Sequence, residues 1–464
     1  MVKGFKIGIM NNVLSYLLLV RFLAYRPRVL DAWVARRLET ARKSFEARHT
    51  VRARRIHINL PAIVNGQAVA QMEVGHLRPA FSQHLTILCL TGEGGSGKTS
   101  LACQVARRAM QAERTERLNP SCAMIPVLLE PTLRPEDTSS DEDLAKLVRL
   151  QLSQMLDESM DDAQELVLHL LRRKRLLLII DGVSEMAAEH RRIFLPNDPD
   201  YPARSILITS RNREELRDTP RTTIETMRIE GTRLSSFLEA YLVATGEKQK
   251  FEDSEFFAIC SRLSQLVGDG DTTVLLAKMY ADLVVAAKNR SVDPALLPQS
   301  VPDLVLRYLR ILNDRIEEGK LSDREVKEAA QRIAWESLSK DFQPRPVNRN
   351  RLYAAYPEAV DIDAQVGYLE SRLGILAEED PSSSLLRFGL DPLAEYLAAI
   401  HLVESAGMDE AKWKSFLAKV HDLDLKAPEV RGFFRALRES CSADLTGQTV
   451  PAFVIEELNS RLST

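Results

Sequence analysis

The sequence predicts an α/β fold in which a mainly parallel sheet is followed by helical domains. The first observation is a set of short apolar runs, at residues 85–90, 123–129, 175–180 and 205–210, which are typical of strands buried on both faces of a parallel sheet. The second is a helix-period segment at residues 100–110, which follows the first run after a short loop. The third is the length of 464 residues, since domains average about 150 residues. We therefore expect several domains, of which the first is α/β.

Composition excludes several classes of protein. Hydrophobic residues make up 45% and charged residues 27% of the chain, so neither a disordered nor a collagen-like protein is indicated. The net charge of −3 produces no overall positive field that would attract nucleic acid. The five cysteines are scattered and the eight histidines form no HExxH pattern, so we predict reduced thiols in a cytoplasmic protein and no zinc or other transition-metal site.

The first 50 residues form a basic amphipathic N-terminal segment. Residues 1–60 contain thirteen Lys or Arg and three Asp or Glu. The apolar run Ile7–Val20 is shorter than the roughly 18 to 20 residues that cross a membrane, and a helical pattern through Leu30, Val34 and Leu38 follows it. Two interpretations stay open. The segment either packs on the next domain, or associates with an anionic membrane surface.

A glycine-rich loop separates the first predicted strand from the first predicted helix. Its glycines allow main-chain N–H groups to converge on phosphate oxygens at the positive end of a helix. Lys98 adds a charge over the terminal phosphates, and the Thr99 hydroxyl is a ligand for Mg²⁺. The predicted nucleotide contacts are Gly92, Glu93, Gly94, Gly95, Ser96, Gly97, Lys98, Thr99 and Ser100.

The same glycines also fit the dinucleotide-binding pattern GxGxxG. That pattern requires neither Lys98 nor Thr99, whereas a phosphate-binding P-loop requires both. The P-loop interpretation is therefore favoured, and a second acidic site downstream supports it.

Two further strands end in polar residues that suit phosphate chemistry. Asp181 follows an apolar strand and is predicted to hold Mg²⁺, and Glu185 is predicted to activate the attacking water as a general base. Arg211 ends the strand at residues 205–210, and its guanidinium is predicted to contact the γ-phosphate. Together with Lys98, Glu185 and Arg211 form the predicted catalytic set, while Thr99 and Asp181 form the predicted metal set.

These residues, in this order, resemble the NACHT family of STAND-class P-loop NTPases, which are signal-transduction ATPases related to AAA+ machines. The resemblance rests on the loop GEGGSGKTSL, the segment 181–185, the strand ILITSR at 206–211, and FGLDPLAEYLAA at 388–399. It implies an αβα nucleotide-binding domain followed by a helical lid, a winged-helix domain and C-terminal helices. It also implies ATP or ADP and Mg²⁺ as ligands.

Three positions depart from the family pattern. Ser184 stands where the first acid of a pair is usual, which implies slow hydrolysis. Leu390 replaces a histidine that contacts the β-phosphate in relatives, and leucine donates no hydrogen bond. The stretch Asp269–Leu276 lacks the proline that the helical domain of relatives places near adenine.

The predicted domain order is a basic segment at 1–50, the NTPase domain at 51–232, the helical lid at 233–300, the winged helix at 301–400 and a helical segment at 401–464. No repeat with a period of 20 to 50 residues is apparent. Two short strands around a polar turn, at residues 374–388, are the predicted wing, and no basic recognition helix indicates DNA binding.

The leading functional hypothesis is a nucleotide-driven switch that self-associates in the ATP form and acts between an unknown protein signal and an unknown effector. An AAA+-like mechanical ATPase or loader is the first alternative. A catalytically idle nucleotide-binding scaffold is the second.

Overall fold

The computed structural model describes most of the chain. The described residues are 25–130, 141–161, 163–186, 191, 193–196, 201–211, 220–267, 271–290, 297–356, 361–380, 384–425, 427, 430–443 and 450–463. Contacts within the chain divide it into two compact units. The first consists of the residues up to Thr91 together with Lys98–Glu225, and the second of Gly92–Gly97 together with Thr226–Thr464.

The first unit is built around the sheet, with helices between its strands. The strands are β1 (Ala62–Val64), β2 (Gln67–Val69), β3 (Thr86–Thr91), β4 (Ile125–Leu129), β5 (Leu176–Ile180), β6 (Ser205–Ser210) and β7 (Thr222–Thr226). The helices are α1 (Pro27–Ala47), α2 (His49–Arg52), α3 (Arg78–Phe81), α4 (Lys98–Ala109), α5 (Asp141–Leu156) and α6 (Gln164–Arg172).

The seven strands lie in the order β2-β1-β7-β3-β6-β5-β4. The five strands from β7 to β4 are paired in parallel, and β1 and β2 form an antiparallel hairpin at one edge. The α/β fold with a mostly parallel sheet is therefore confirmed. Strand β6 lies between β3 and β5, so its carboxyl end separates the ends of the two strands that carry the predicted phosphate and metal residues.

The central strands are apolar because helices cover them. All residues of β3, β4, β5 and β6 are buried, as are the inward faces of α4 and α6. Four of the strands match the apolar runs of the sequence to within two residues. The hairpin β1–β2 and the strand β7 were not predicted, although Asn65 and Gly66 adopt the positive φ values of 50° and 82° that a tight hairpin turn needs.

The N-terminal helix α1 packs its apolar face into the core of the first unit. Its buried residues are Leu30, Val34, Leu38, Ala41 and Phe45, which belong to the same cluster of buried side chains as the sheet strands. Its polar face carries ion pairs such as that between Arg37 and Glu158, at 2.7 Å. The apolar run Ile7–Val20 lies outside the described residues. Within the described part of the chain, no helix is both long and apolar enough to cross a bilayer.

The second unit is mainly helical. Its helices are α7 (Leu234–Thr245), α8 (Asp253–Val267), α9 (Val274–Asn289), α10 (Val301–Asp314), α11 (Asp323–Leu338), α12 (Arg349–Ala355), α13 (Ile362–Gly367), α14 (Asp391–Ala406), α15 (Glu410–Lys419), α16 (Arg431–Ser442) and α17 (Ala452–Ser463). Local signals fix their ends: Ser300 caps α10, and Ser322 with Glu325 forms a capping box at the start of α11.

A small antiparallel sheet lies between α11 and α14 in the chain. Its strands are β8 (Val347–Asn348), β9 (Leu376–Asp380) and β10 (Leu385–Phe388), in the order β8-β10-β9. The predicted pair of strands at residues 374–388 is therefore present as β9 and β10. Strand β8, which pairs with β10 through Leu386 and Val347, was not predicted.

We expect the packing of α1 to contribute measurably to folding. Truncating Val34, which is 2% exposed, to alanine should lower the free energy of unfolding by about 2 kcal/mol, because the lost methyl groups leave a cavity. Val29 lies on the same helix but is 47% exposed, so Val29→Ala should change it by less than about 0.5 kcal/mol. Urea denaturation of both variants checks this, and equal effects of the two would contradict the packing of α1 in the core.

Candidate nucleotide-binding site

The loop Gly92–Gly97 joins the end of β3 to the start of α4, as the sequence predicts. Gly92, Gly95 and Gly97 have φ values of 145°, 72° and 97°, a region that side chains with a Cβ rarely adopt. These positive φ values give the loop a sharply turned backbone, of the kind in which successive N–H groups can converge on an anion. This backbone fits a phosphate chain, and it explains why glycine occupies these positions.

Hydrogen bonds inside the second unit hold the base of the loop. The Ser96 hydroxyl donates to the Glu93 carbonyl at 2.7 Å and therefore accepts from the Thr226 hydroxyl, also at 2.7 Å. A Cβ on Gly92 would lie 2.3 Å from Thr226 Oγ1, which leaves no room for a side chain there. Thr226 was not a predicted site residue, and no motif of the sequence points to it.

The tip of the loop contacts two helix starts of the second unit. The Leu275 N–H at the start of α9 donates to the Gly95 carbonyl at 3.2 Å. A Cβ on Gly95 would lie 3.0 Å from both Leu275 Cβ and Pro392 Cγ, so only glycine fits this contact without displacement. Pro392 is the second residue of α14, within the segment 388–399 that carries part of the family resemblance. Leu275 belongs to the stretch that replaces the expected proline.

The Glu93 side chain forms ion pairs with arginines. Arg228 Nε donates to Glu93 Oε2 at 2.8 Å, Arg228 Nη2 contacts the same oxygen, and Arg431 Nη1 lies 3.6 Å from Oε1. Burial acts to raise the pKa of Glu93, but the charge and hydrogen bonds of Arg228 and the charge of Arg431 outweigh burial and leave the pKa below its ordinary value. Glu93 was predicted as a loop residue only, so its contacts to arginine are a finding of the structure.

The predicted metal residues Thr99 and Asp181 lie together in the first unit. Thr99 Oγ1 lies 3.0 Å and 3.1 Å from the two carboxylate oxygens of Asp181. A hydroxyl oxygen next to a carboxylate is the kind of oxygen pair that Mg²⁺ prefers, so the residues present fit the ion. The sequence prediction of these two residues as a pair is thus consistent with their placement.

Thr209 of β6 orients this carboxylate and was missed by the sequence analysis. Its hydroxyl donates to Asp181 Oδ1 at 2.6 Å and accepts from the Gly182 N–H at 2.7 Å. Gly182 has a φ of 66°, in the left-handed region that favours glycine, at the start of the turn after β5. A polar threonine within the apolar strand Ser205–Ser210 is the sequence feature that could have indicated this role. The sequence does not show, however, that β6 lies beside Asp181; the strand order does.

Lys98 and Ser100 begin α4. Lys98 is the first residue of the helix and is half-buried, and Ser100 Oγ lies 3.1 Å from His57 Nδ1. Burial, together with the charge of Arg107, lowers the pKa of His57 to about 4, so this imidazole is neutral at pH 7. His57 was not predicted, and it gives the start of α4 a neutral hydrogen-bonding neighbour.

The predicted catalytic residues Glu185 and Arg211 follow β5 and β6. Arg211 is 8% exposed, and its main-chain N–H donates to the Ser184 hydroxyl at 3.1 Å. Glu185 ends a 3₁₀ turn, Val183–Glu185, and its side chain lies outside the described part of the structure. Ser184 therefore links the end of β6 to the turn after β5, which gives this hydroxyl a structural partner.

Comparison with known proteins gives one family match and several structural similarities. Residues 86–239 match the model of the NACHT domain, and the search of curated proteins gave no match. One similar solved structure is that of a Signal Transduction ATPase with Numerous Domains (STAND) protein with a tetratricopeptide repeat sensor, from Pyrococcus horikoshii. Its sequence is 14% identical to this chain, and the TM-score is 0.33. The alignment covers 84% of this chain and 60% of that protein, so the chain spans less than two thirds of its length.

Two further similar structures come from Aeropyrum pernix and Pyrococcus abyssi. The ORC2 protein of Aeropyrum pernix, solved as ADPNP–ADP complexes, has 16% identity and a TM-score of 0.32 over 72% of this chain and 94% of its own. The Walker-type ATPase of Pyrococcus abyssi has 12% identity and a TM-score of 0.32 over 70% of this chain and 94% of its own.

We expect Asp181 and Thr209 to determine how strongly Mg²⁺ raises nucleotide affinity. Asp181→Asn should bind labelled ATP equally well with Mg²⁺ and with EDTA, because a neutral amide is a poor ligand for the ion. Thr209→Val should lower the Mg²⁺-dependent gain about tenfold, since a hydrogen bond to a charged group is worth about 1.5–3 kcal/mol. Titration followed by fluorescence anisotropy gives both values.

Thr222→Val is the matched control, because Thr222 lies on β7, which β3 separates from β6 in the sheet, and is therefore away from Asp181. It should retain the full gain with Mg²⁺. A normal Mg²⁺ response in Asp181→Asn would remove this residue from the metal site.

Proposed function

We propose, from the match of residues 86–239 to the NACHT domain, that the chain is a Mg²⁺-dependent ATPase switch whose nucleotide state controls opening and self-association. The observation that carries the proposal is the pair formed by Thr99, at the start of the helix after the glycine loop, and Asp181, directly after β5, whose side-chain oxygens lie 3.0 Å apart. A phosphate loop without an adjacent carboxylate would bind anions but would not hold the metal of an NTPase.

The side chains have distinct proposed roles. The loop N–H groups and Lys98 bind the phosphate chain, and Thr99 and Asp181 hold Mg²⁺, which when bound neutralises charge on the β- and γ-phosphates. Arg211 contacts the γ-phosphate, and Glu185 takes the proton of the attacking water. Ser184 offers a hydroxyl that is already bonded to the Arg211 main chain, so Glu185 is the single acid of this turn and turnover is slow.

The contacts of the loop tip support control of shape by nucleotide. Gly95 touches residues at the starts of α9 and α14, in the predicted lid and winged-helix domains. A ligand in the loop can shift a conformational equilibrium only by its different affinity for the two shapes. We propose that ADP favours the compact shape and that ATP favours an open, self-associating shape.

Size-exclusion chromatography with light scattering tests the switch. With Mg²⁺ and an unhydrolysable ATP analogue, the wild-type chain should elute as a larger species than with ADP, since only the triphosphate favours the self-associating shape. Lys98→Ala should bind labelled ATP much more weakly and elute alike with both nucleotides, because it lacks the charge that contacts the phosphates.

Equal nucleotide binding by wild type and Lys98→Ala would show that the assigned site is wrong. Tight binding without any nucleotide-dependent change in size would favour a scaffold over a switch. Fast turnover that depends on an added protein or nucleic acid would favour a mechanical ATPase or loader.

The role of Glu185 has a separate kinetic test. Glu185→Gln should retain ATP affinity but lose turnover by about 10²–10⁴-fold, the usual contribution of a general base. Phosphate release under single-turnover conditions, with Glu165→Gln on α6 as the control, measures the effect. Undiminished hydrolysis in Glu185→Gln would exclude it as the base, and no hydrolysis even by wild type would identify an idle nucleotide-binding scaffold.

A further inference from the structure

The acidic residue of the phosphate loop connects it to the C-terminal helix α16. Arg431 is the first residue of α16, and its guanidinium lies 3.6 Å from Glu93 Oε1. Arg228, which follows β7, occupies the other carboxylate oxygen and also donates from Nη1 to the Asp271 carbonyl at 2.9 Å. Glu93 thus lies between the chain that leaves the sheet and a helix some 340 residues later in the sequence.

A second arginine of α16 strengthens the positive charge around Glu93. Arg435 lies one helical turn after Arg431, and its charge is among those that lower the pKa of Glu93. The Arg435 Nη1 atom is buried and makes no hydrogen bond within the described residues. Burial, and then repulsion by Arg228, lowers the pKa of Arg435 itself, so these like charges are held together at an electrostatic cost that Glu93 reduces.

The position of α16 is fixed by close packing against α14. A Cβ on Gly432 would lie 2.4 Å from the carboxylate oxygens of Glu395, so the two helices meet at a glycine. Tyr396 of α14 donates a hydrogen bond to Glu439 of α16 at 2.6 Å. Helix α14 also carries Pro392, the residue beside Gly95. The ionic contact at Glu93 and the apolar contact at Gly95 therefore reach the phosphate loop through one packed pair of helices.

We propose that Glu93, Arg228 and Arg431 form an ionic latch by which the C-terminal helix holds the phosphate loop and slows the release of bound nucleotide. The latch rests on the proposed nucleotide-binding function and adds a regulatory contact to the same loop. Opening the latch frees the loop from α16. Because Arg431 is the more exposed arginine, with 45% of its side chain accessible against 17% for Arg228, its pair with Glu93 is the part that opens first.

The test measures how fast the full-length chain releases fluorescent ADP. Protein loaded with the labelled ADP and Mg²⁺ is mixed with excess unlabelled ADP in a stopped-flow instrument. Arg431→Gln should raise the dissociation rate about two- to fivefold, the range expected for a partly exposed ion pair. Glu93→Gln should raise it further, because it weakens the contacts to both arginines. The double variant should match Glu93→Gln, since Arg431 acts through Glu93.

Arg438→Gln is the control, because it removes the same charge from the same helix at a residue with no ion pair among the described residues. It should release ADP at the wild-type rate. The effect of Arg431→Gln should also shrink at 0.5 M salt, since screening weakens an exposed charge pair. Thermal unfolding of each variant shows that it is folded.

The outcomes separate the latch from the function on which it rests. If wild type does not bind the labelled ADP, both proposals fall. If it binds, and Arg431→Gln releases ADP at the wild-type rate, or the effects of the two single variants multiply in the double variant, the latch is overturned and nucleotide binding stands.

Discussion

The orientation of the Asp181 carboxylate depends on hydroxyl groups from two different elements. The order of the strands in the sheet brings both hydroxyls to it. Thr99 approaches it from the start of α4 and Thr209 from β6. Because β6 lies between β3 and β5, its carboxyl end fills the space between the phosphate loop's own strand and the strand that delivers the acid. A sheet in which β3 and β5 were neighbours would leave Asp181 without the hydrogen bond from Thr209, so that Thr99 alone of these two hydroxyls would orient the carboxylate. The strand order therefore sets the direction of the acid as well as its position.

The phosphate loop is covalently continuous with β3 and α4 of the first unit, whereas its contacts assign it to the second. Gly92 and Gly95 allow this, because they lack the side chains that would otherwise prevent the close approach of Thr226, Leu275 and Pro392. The loop is thus shaped both by the ligand that it is proposed to bind and by its own chain. A residue larger than glycine at position 95 would disturb the contacts with Leu275 and Pro392, even if it still allowed a phosphate to bind.

The sequence was sufficient to predict the buried strands, the phosphate loop and the acid after β5, because each is a local pattern. Leu176–Ile180 is uniformly apolar, and the glycines precede Lys98 and Thr99 directly. Thr209 and Arg228 were not predictable in this way. A threonine inside an apolar strand is common, and only the pairing of β6 with both β3 and β5 gives it a role. Arg228 and Arg431 are some 200 residues apart in the chain, and no local pattern relates either of them to Glu93.

The departures from the family pattern become understandable when the contacts around them are considered. Ser184 accepts a hydrogen bond from the Arg211 main chain, so the missing acid is replaced by a structural bond rather than by an empty position. The Leu390 side chain has no hydrogen-bond donor, and the residue is the N-cap of α14, two residues before the proline that lies beside Gly95. If residue 390 restrained the loop through its side chain, it could do so only by steric contact. The charges on Glu93 and Arg431 offer a different kind of hold, because an ion pair loses strength gradually with distance and salt whereas a steric contact does not. Control of this loop is therefore better suited to graded release than to an all-or-none lock at residue 390.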